Sequence, residues 1–232
     1  MKKKVIYLLV FFVAVNVNVI AQNCDFYFPL NEGSELITKS YDKKDNLTGW
    51  SKQTIKKKEN LSNGTSITML VESYDTKEDT AISKTELKYE CRDNIIYVDM
   101  NAFINQASFA AYKDMEVKVT TKDMTFPAEL KVNDVLDNGN IEIKVSSQGT
   151  QILTSVVSIT NRKVLAIESV TTPAGTFECY KITSDIESKM IFTVKTTIVE
   201  WYAKEVGSVR SENYDKTGKL VSYSVLEGLT KK

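Results

Sequence analysis

The chain contains no histidine among its 232 residues, and that absence excludes more chemistry than any residue present suggests. It removes Ser-His-Asp and Cys-His nucleophile pairs, histidine-bearing zinc sites and the commonest general base. Proline is nearly missing too, with three in the whole chain, and the nine glycines are scattered. No linker rich in Pro, Gly or Ser therefore divides the chain, and a single domain is expected. Excess positive charge is also absent, since 30 Lys and Arg face 30 Asp and Glu. Nucleic-acid binding needs a basic face, so that class of partner is excluded.

What is present begins with a leader. Met1-Lys2-Lys3-Lys4 is basic, and Val5 to Ala21 is apolar apart from Asn16 and Asn18. Val19-Ile20-Ala21 suits signal-peptidase cleavage, and no basic stop-transfer cluster follows. Residues 1–21 are expected to be a signal peptide and residues 22–232 the mature domain. Losing Lys2, Lys3 and Lys4 leaves that domain a net charge of −3. Lipidation at Cys24 would want a small residue before it, and Asn23 stands there. In an exported chain three cysteines permit one disulfide and one free thiol, and spacing leaves three pairings open. Cys24 lies at the mature N-terminus and Cys91 at a strand end, where a staple ties down a mobile segment. Cys179 sits within a strand beside Phe177, where a small buried thiol is the commoner state. The expected pair is Cys24 with Cys91.

The pattern beyond is of strands. Leu36 to Tyr41, Thr48 to Lys57, Thr65 to Tyr74, Ala81 to Cys91 and Ile95 to Asp99 are rich in aromatic and β-branched residues and bounded by polar turns. Three turns share a form: Tyr41-Asp42, Tyr74-Asp75 and Tyr214-Asp215, each Asp able to cap its turn through the following backbone. Met100 to Met115, with Ala102, Phe103, Ala107, Ala110 and Ala111, predicts the one helix. Pro127 and Lys131 to Val135 mark a crossing loop. Asp137-Asn138-Gly139-Asn140 reads as a tight turn into Ile141 to Val145 rather than a calcium loop, whose ligand spacing it lacks. Ile152 to Ile159 and Lys163 to Val170 are read as paired strands. Thr172-Pro173-Ala174-Gly175 then reverses the chain into Thr176 to Ile182, followed by Thr193 to Tyr202, a strand at Ser208 to Asn213 and Lys219 to Leu226. The fold class expected is mainly β: a large curved antiparallel sheet or open half-barrel of eleven or twelve strands, with one short helix packed against it.

Without histidine, catalysis would fall to carboxylates, lysines, tyrosines or a thiol. Cys179 could be activated by Lys181, which shares its face two residues on; a packed core thiol is the simpler reading. Glycoside hydrolysis needs two acids set close in a cleft, and nothing singles out such a pair. Phe177, Tyr180, Phe192, Trp201 and Tyr202 lie on neighbouring strands and are the candidates for lining an apolar ligand cavity, against the simpler alternative that they fill the core. Trp50, near a turn, is a candidate surface aromatic or, equally, a ligand contact. No metal site, cofactor or catalytic residue is indicated.

Several elements together resemble the TapB-like family of exported proteins of unknown function. They are Cys24-Asp25-Phe26-Tyr27-Phe28-Pro29 with Glu32-Gly33, Tyr112-Lys113-Asp114-Met115, Thr160-Asn161-Arg162-Lys163-Val164, Thr171 to Ile182, and Trp201-Tyr202-Ala203-Lys204-Glu205-Val206-Gly207. The Asp45-Asn46 turn departs from the pattern where a Gly might stand. The resemblance implies an exported protein of the periplasm or outer envelope of a Gram-negative cell, with a curved sheet distantly like lipoprotein-carrier half-barrels. It carries over no catalytic residue. The function expected is a non-catalytic envelope protein holding a lipid-like apolar or amphipathic ligand in the concavity of the sheet. The alternative is a scaffold docking another envelope protein through a sheet edge or the Trp50 surface.

Overall fold

Strands rich in Val, Ile, Thr and Tyr, joined by turns that carry their own caps, fold into one antiparallel sheet. A computed structural model of the chain describes residues 27, 29, 31–77, 80–104, 109 and 112–232. The strands are β1 (Glu35–Asp42), β2 (Leu47–Leu61), β3 (Gly64–Tyr74), β4 (Ser83–Arg92), β5 (Ile95–Val98), β6 (Glu116–Lys122), β7 (Met124–Pro127), β8 (Gly139–Ser147), β9 (Thr150–Thr172), β10 (Gly175–Lys189), β11 (Thr193–Ala203), β12 (Gly207–Asp215) and β13 (Leu220–Thr230). They run in the order β6-β8-β9-β10-β11-β12-β13-β1-β2-β3-β4-β5-β7. The last strand lies against the first, with Glu35 opposite Thr230. The two strands at the ends of that order are consecutive in the chain, separated by Asp123 alone. One extended run thus borders β8 with its first half and β5 with its second, and the sheet curls into a nearly closed barrel.

The turns are built as their sequences suggest. The Asp42 carboxylate accepts from the backbone of Lys44 and Asn46, and the Asp215 carboxylate from that of Thr217 and Lys219. Gly64 opens β3 where an added Cβ would lie 1.8 Å from the Cys91 carbonyl oxygen, so no side chain fits there.

Side chains close the seam where the backbone ladder does not. Arg162 on β9 is 2 % exposed, and its Nη1 donates to the Thr125 carbonyl on β7 at 3.1 Å and to the Asp137 carbonyl just before β8. Its guanidinium also lies 4.4 Å from the centre of the Phe126 ring. Thr125 Oγ1 donates to Asp137 Oδ2 at 2.8 Å, and the Met100 amide donates to Asp123 Oδ1 at 3.1 Å. Gly139 lets Met124 approach; a Cβ there would meet Met124 Cγ at 2.5 Å.

Two buried clusters result. One is interior and joins Ile55, Ile67, Met69, Ile96, Leu130, Leu136, Val164 and Ile182 with Tyr27. The other joins Leu36, Cys179, Trp201, Ala203, Val206, Val209 and Leu226.

Three expectations are corrected. Where a helix over Met100 to Met115 was expected, the described residues show a four-residue 3-10 turn, Met100–Phe103, and residues 105–108, 110 and 111 lie outside the described residues. Ile152 to Ile159 and Lys163 to Val170 are not partners but parts of the 23-residue β9, because Asn161, at φ 52°, kinks the strand instead of reversing it. Asp137 to Asn140 is not a hairpin turn; Asp137 belongs to the seam and Gly139 already pairs with Ile159. The signal peptide and Cys24 lie outside the described residues.

Replacing Arg162 by Met should leave two carbonyls unpaired and cost about 2–4 kcal/mol. A thermal melt should fall by roughly 5–15 °C; an unchanged midpoint would mean that the seam holds without it.

Candidate functional site

Alternation along β10 and β11 decides what faces the interior. Their ladder has no bulge and pairs Tyr180 with Tyr202, Ile182 with Glu200 and Ser184 with Ile198. These side chains share one face, and Cys179, Lys181 and Trp201, one residue out of step, point to the other. The inward face borders a cavity of about 540 Å³, within the usual range for a small-molecule site. Its wall includes Met69, Val71 and Leu87 from β3 and β4, Val98, Met100, Phe103 and Met124 from the seam side, and Val157, Ile159, Ile186 and Ile198 from β9 to β11.

A small polar belt interrupts this apolar lining. Tyr202 OH donates to Glu200 Oε1 at 2.8 Å, and Arg162, Tyr89 and Ser184 line the same cavity. Burial raises the Glu200 carboxyl above its ordinary value, an effect that the Tyr202 hydrogen bond and the Arg162 charge only partly offset. Burial likewise pushes the Tyr89 hydroxyl up, and that of Tyr202 well above its usual range with Glu200 adding to it. Arg162 stays charged, although burial lowers its pKa.

Beyond the belt the cavity ends in rings. Tyr27 meets Tyr180 edge-on at 5.7 Å and Phe126 at 6.3 Å, and Phe126 lies 5.8 Å from Tyr202. In the other direction Ile198, Ile186, Ile159 and Val157 lead toward the β10–β11 turn. At that turn Met190, Ile191 and Phe192 are exposed, Phe192 by 75 %.

Of the five aromatic candidates, Tyr202 lines the cavity and Tyr180 packs against the interior core. Phe177 and Trp201 belong to the second cluster, on the opposite face, and Phe192 projects from the turn. Trp201 donates its Nε1–H to Glu168 at 2.6 Å, with the Lys181 ammonium 4.9 Å from its ring centre. Trp50 stacks on Tyr74 at 3.8 Å. Sequence reasoning missed Glu200 and Arg162. The signal for Glu200 was a single charge inside the otherwise uncharged run Thr196 to Ala203.

Neither catalytic candidate finds a partner suited to the task. Burial and two nearby carboxylates push the Cys179 thiol up to about 11, the reverse of activation, and Lys181 is paired with Glu168 at 3.3 Å. Cys179 is the free cysteine among the described residues, and Cys91 does not carry a free thiol. Among the residues lining the cavity, Glu200 is the one carboxylate.

A family model described as DUF3108-like matches residues 31–226; the TapB-like name suggested by the motifs is not the one it carries. A solved structure from Parabacteroides distasonis, described as a lipoprotein, superposes with a TM-score of 0.72 at 28 % identity, over 90 % of this chain and 100 % of that one. A protein from Bacteroides fragilis, described as exported and of YmcC-like fold, superposes with a TM-score of 0.71 at 24 % identity, with the same coverage of 90 % and 100 %. No curated protein matches the chain.

Glu200 has a pH signature. Its folded pKa is raised from 4.5, so its contribution to stability is fully present below that value and is lost as the pH climbs through the folded pKa. Relative to Glu200→Gln, the native chain should therefore lose stability as pH rises above about 4.5. Denaturant melts of both proteins at several pH values would check this, and parallel curves would contradict it.

Proposed function

We infer a holding function from the premise that this chain belongs to the DUF3108-like family. It is an exported envelope protein of a Gram-negative cell that binds an apolar or amphipathic small molecule inside its barrel and performs no reaction on it. The observation that carries this reading is the cavity of about 540 Å³, whose wall is mostly aliphatic and aromatic. Side chains can fill the interior of a barrel of about eight strands, whereas thirteen strands in one nearly closed sheet leave room for such a space. Export is supported by the basic and apolar N-terminus and by the descriptions of the two similar structures. The lack of histidine, the single cavity carboxylate and the high-pKa thiol support a role without catalysis.

Native mass spectrometry of the protein purified gently from the envelope should show an added small-molecule mass that organic extraction removes. A mass equal to the bare polypeptide in every preparation would sink the reading. Within the same proposal Cys24 pairs with Cys91. Alkylation of the unfolded mature chain should then tag one cysteine before reduction and three after it; three tags without reduction would refute the pairing.

A second reading, docking of another envelope protein, is favoured by the exposed Met190-Ile191-Phe192 turn. Trp50 favours it less, because its ring already rests on Tyr74.

A further inference from the structure

The cavity is not uniform along its length, and the register of β9, β10 and β11 fixes the direction of the change. Glu200 sits opposite Ile182, and Tyr202, two residues on, opposite Tyr180. Beyond them the interior is shut by the packed rings of Tyr27, Phe126 and Tyr180. In the other direction every cavity residue of β9 and β11 past the belt is aliphatic: Ile159 and Val157 on β9, Ile198 on β11. On β10 Ser184 is followed by Ile186. This apolar half runs toward the end of the barrel where Phe103 is 52 % exposed and the Met190 to Phe192 turn projects. Along β9, β10 and β11 the polar groups therefore lie at the inner end and hydrocarbon at the outer.

The belt also has a chemical preference. Glu200 Oε1 is engaged by Tyr202, and no hydrogen bond reaches Oε2 among the described residues. Glu200 is only half-buried, and it lines the cavity. Arg162 commits Nη1 to two backbone carbonyls. With Glu200 ionised, the Arg162 charge offsets it, and the belt then holds no net charge with which to retain an ionised head. A hydroxyl can donate to a carboxylate or accept from a carboxylic acid, and so satisfies Glu200 in either state. A ligand carboxylate cannot donate to Oε2, and an ester offers no donor at all. The volume suits one hydrocarbon chain rather than the two of a phospholipid.

We propose that the cavity takes a single-chain amphiphile with an uncharged hydroxyl-bearing head, inserted head first so that the hydroxyl meets Glu200 and the chain lies along Ile198, Ile186 and Val157. The proposal rests on the holding function above and specifies its ligand class.

The test is displacement of N-phenyl-1-naphthylamine fluorescence from delipidated mature protein by three probes of equal acyl chain: monopalmitin, palmitate and methyl palmitate. Monopalmitin should displace about 10-fold better than the other two, the worth of one well-placed hydrogen bond. Glu200→Leu should abolish that advantage while leaving methyl palmitate unchanged. Glu200→Gln, which keeps the shape and offers a donor amide, should narrow it and serves if the Leu variant does not fold. Val157→Trp at the outer end should weaken monopalmitin but spare the short-chain monocaprylin. Equal displacement by the three heads, an advantage that survives in both Glu200 variants, or equal loss of both chain lengths in Val157→Trp would overturn the ligand class or its orientation while leaving the holding function standing. Failure of all three probes to displace the dye from the native protein would overturn both.

Discussion

The barrel depends on a buried guanidinium that finishes what the backbone ladder cannot. The run from Glu116 to Pro127 is hydrogen-bonded to β8 along its first half and to β5 along its second. A strand cannot be fully paired on both sides while it passes from one neighbour to the other, so carbonyls near the crossing need donors from elsewhere. Arg162 supplies them to Thr125 and Asp137. A planar, permanently charged fork can serve two carbonyls and still cover an aromatic face. Lysine would offer a point charge without the plane. The kink at Asn161 aims this side chain inward, so the positive φ of 52° in β9 and the closed seam are one device.

The same residue connects closure to the site. Arg162 lies in the cavity wall and opposes the charge of Glu200. A half-buried carboxylate in an apolar cavity is helped to keep its charge by a nearby cation, and a buried cation without acceptors would be costly. The two support each other's presence in an otherwise hydrocarbon interior. Tyr202 then fixes one oxygen of the carboxyl, so its orientation is set before anything binds.

Local chemistry was legible in the sequence where a few neighbouring residues decide it. The Asp42 and Asp215 turns, the strands on either side of them and the curved antiparallel class all follow from period-two patterns and self-capping loops. What failed involved distant residues. Glu116 to Lys122 alternates Val117, Val119 and Thr121 with charged and polar neighbours, a plain strand signal overshadowed by the Ala-rich segment before it. Thr160-Asn161-Arg162 looked like a reversal because Asn tolerates a left-handed backbone, which serves a kink equally well. At the site, consecutive strand residues point to opposite faces, so Trp201 and Tyr202 could not both look inward. Composition put both rings forward, whereas the registered pair Ile182 and Glu200 marks the face that does.

The order of strands carries a consequence for how the chain acquires this shape. β1 and β13 are neighbours in the middle of the sheet, with Leu36 beside Leu229. The first half of the barrel must therefore wait, with a long edge unpaired, until the final strand has been delivered. Loop closure over such sequence separations is slow, and open edges invite association with other chains. A polypeptide threaded through a membrane from its N-terminus meets that delay in full, so its assembly is timed by the arrival of its tail, and protection during transit matters more for this topology than for one built from successive local hairpins.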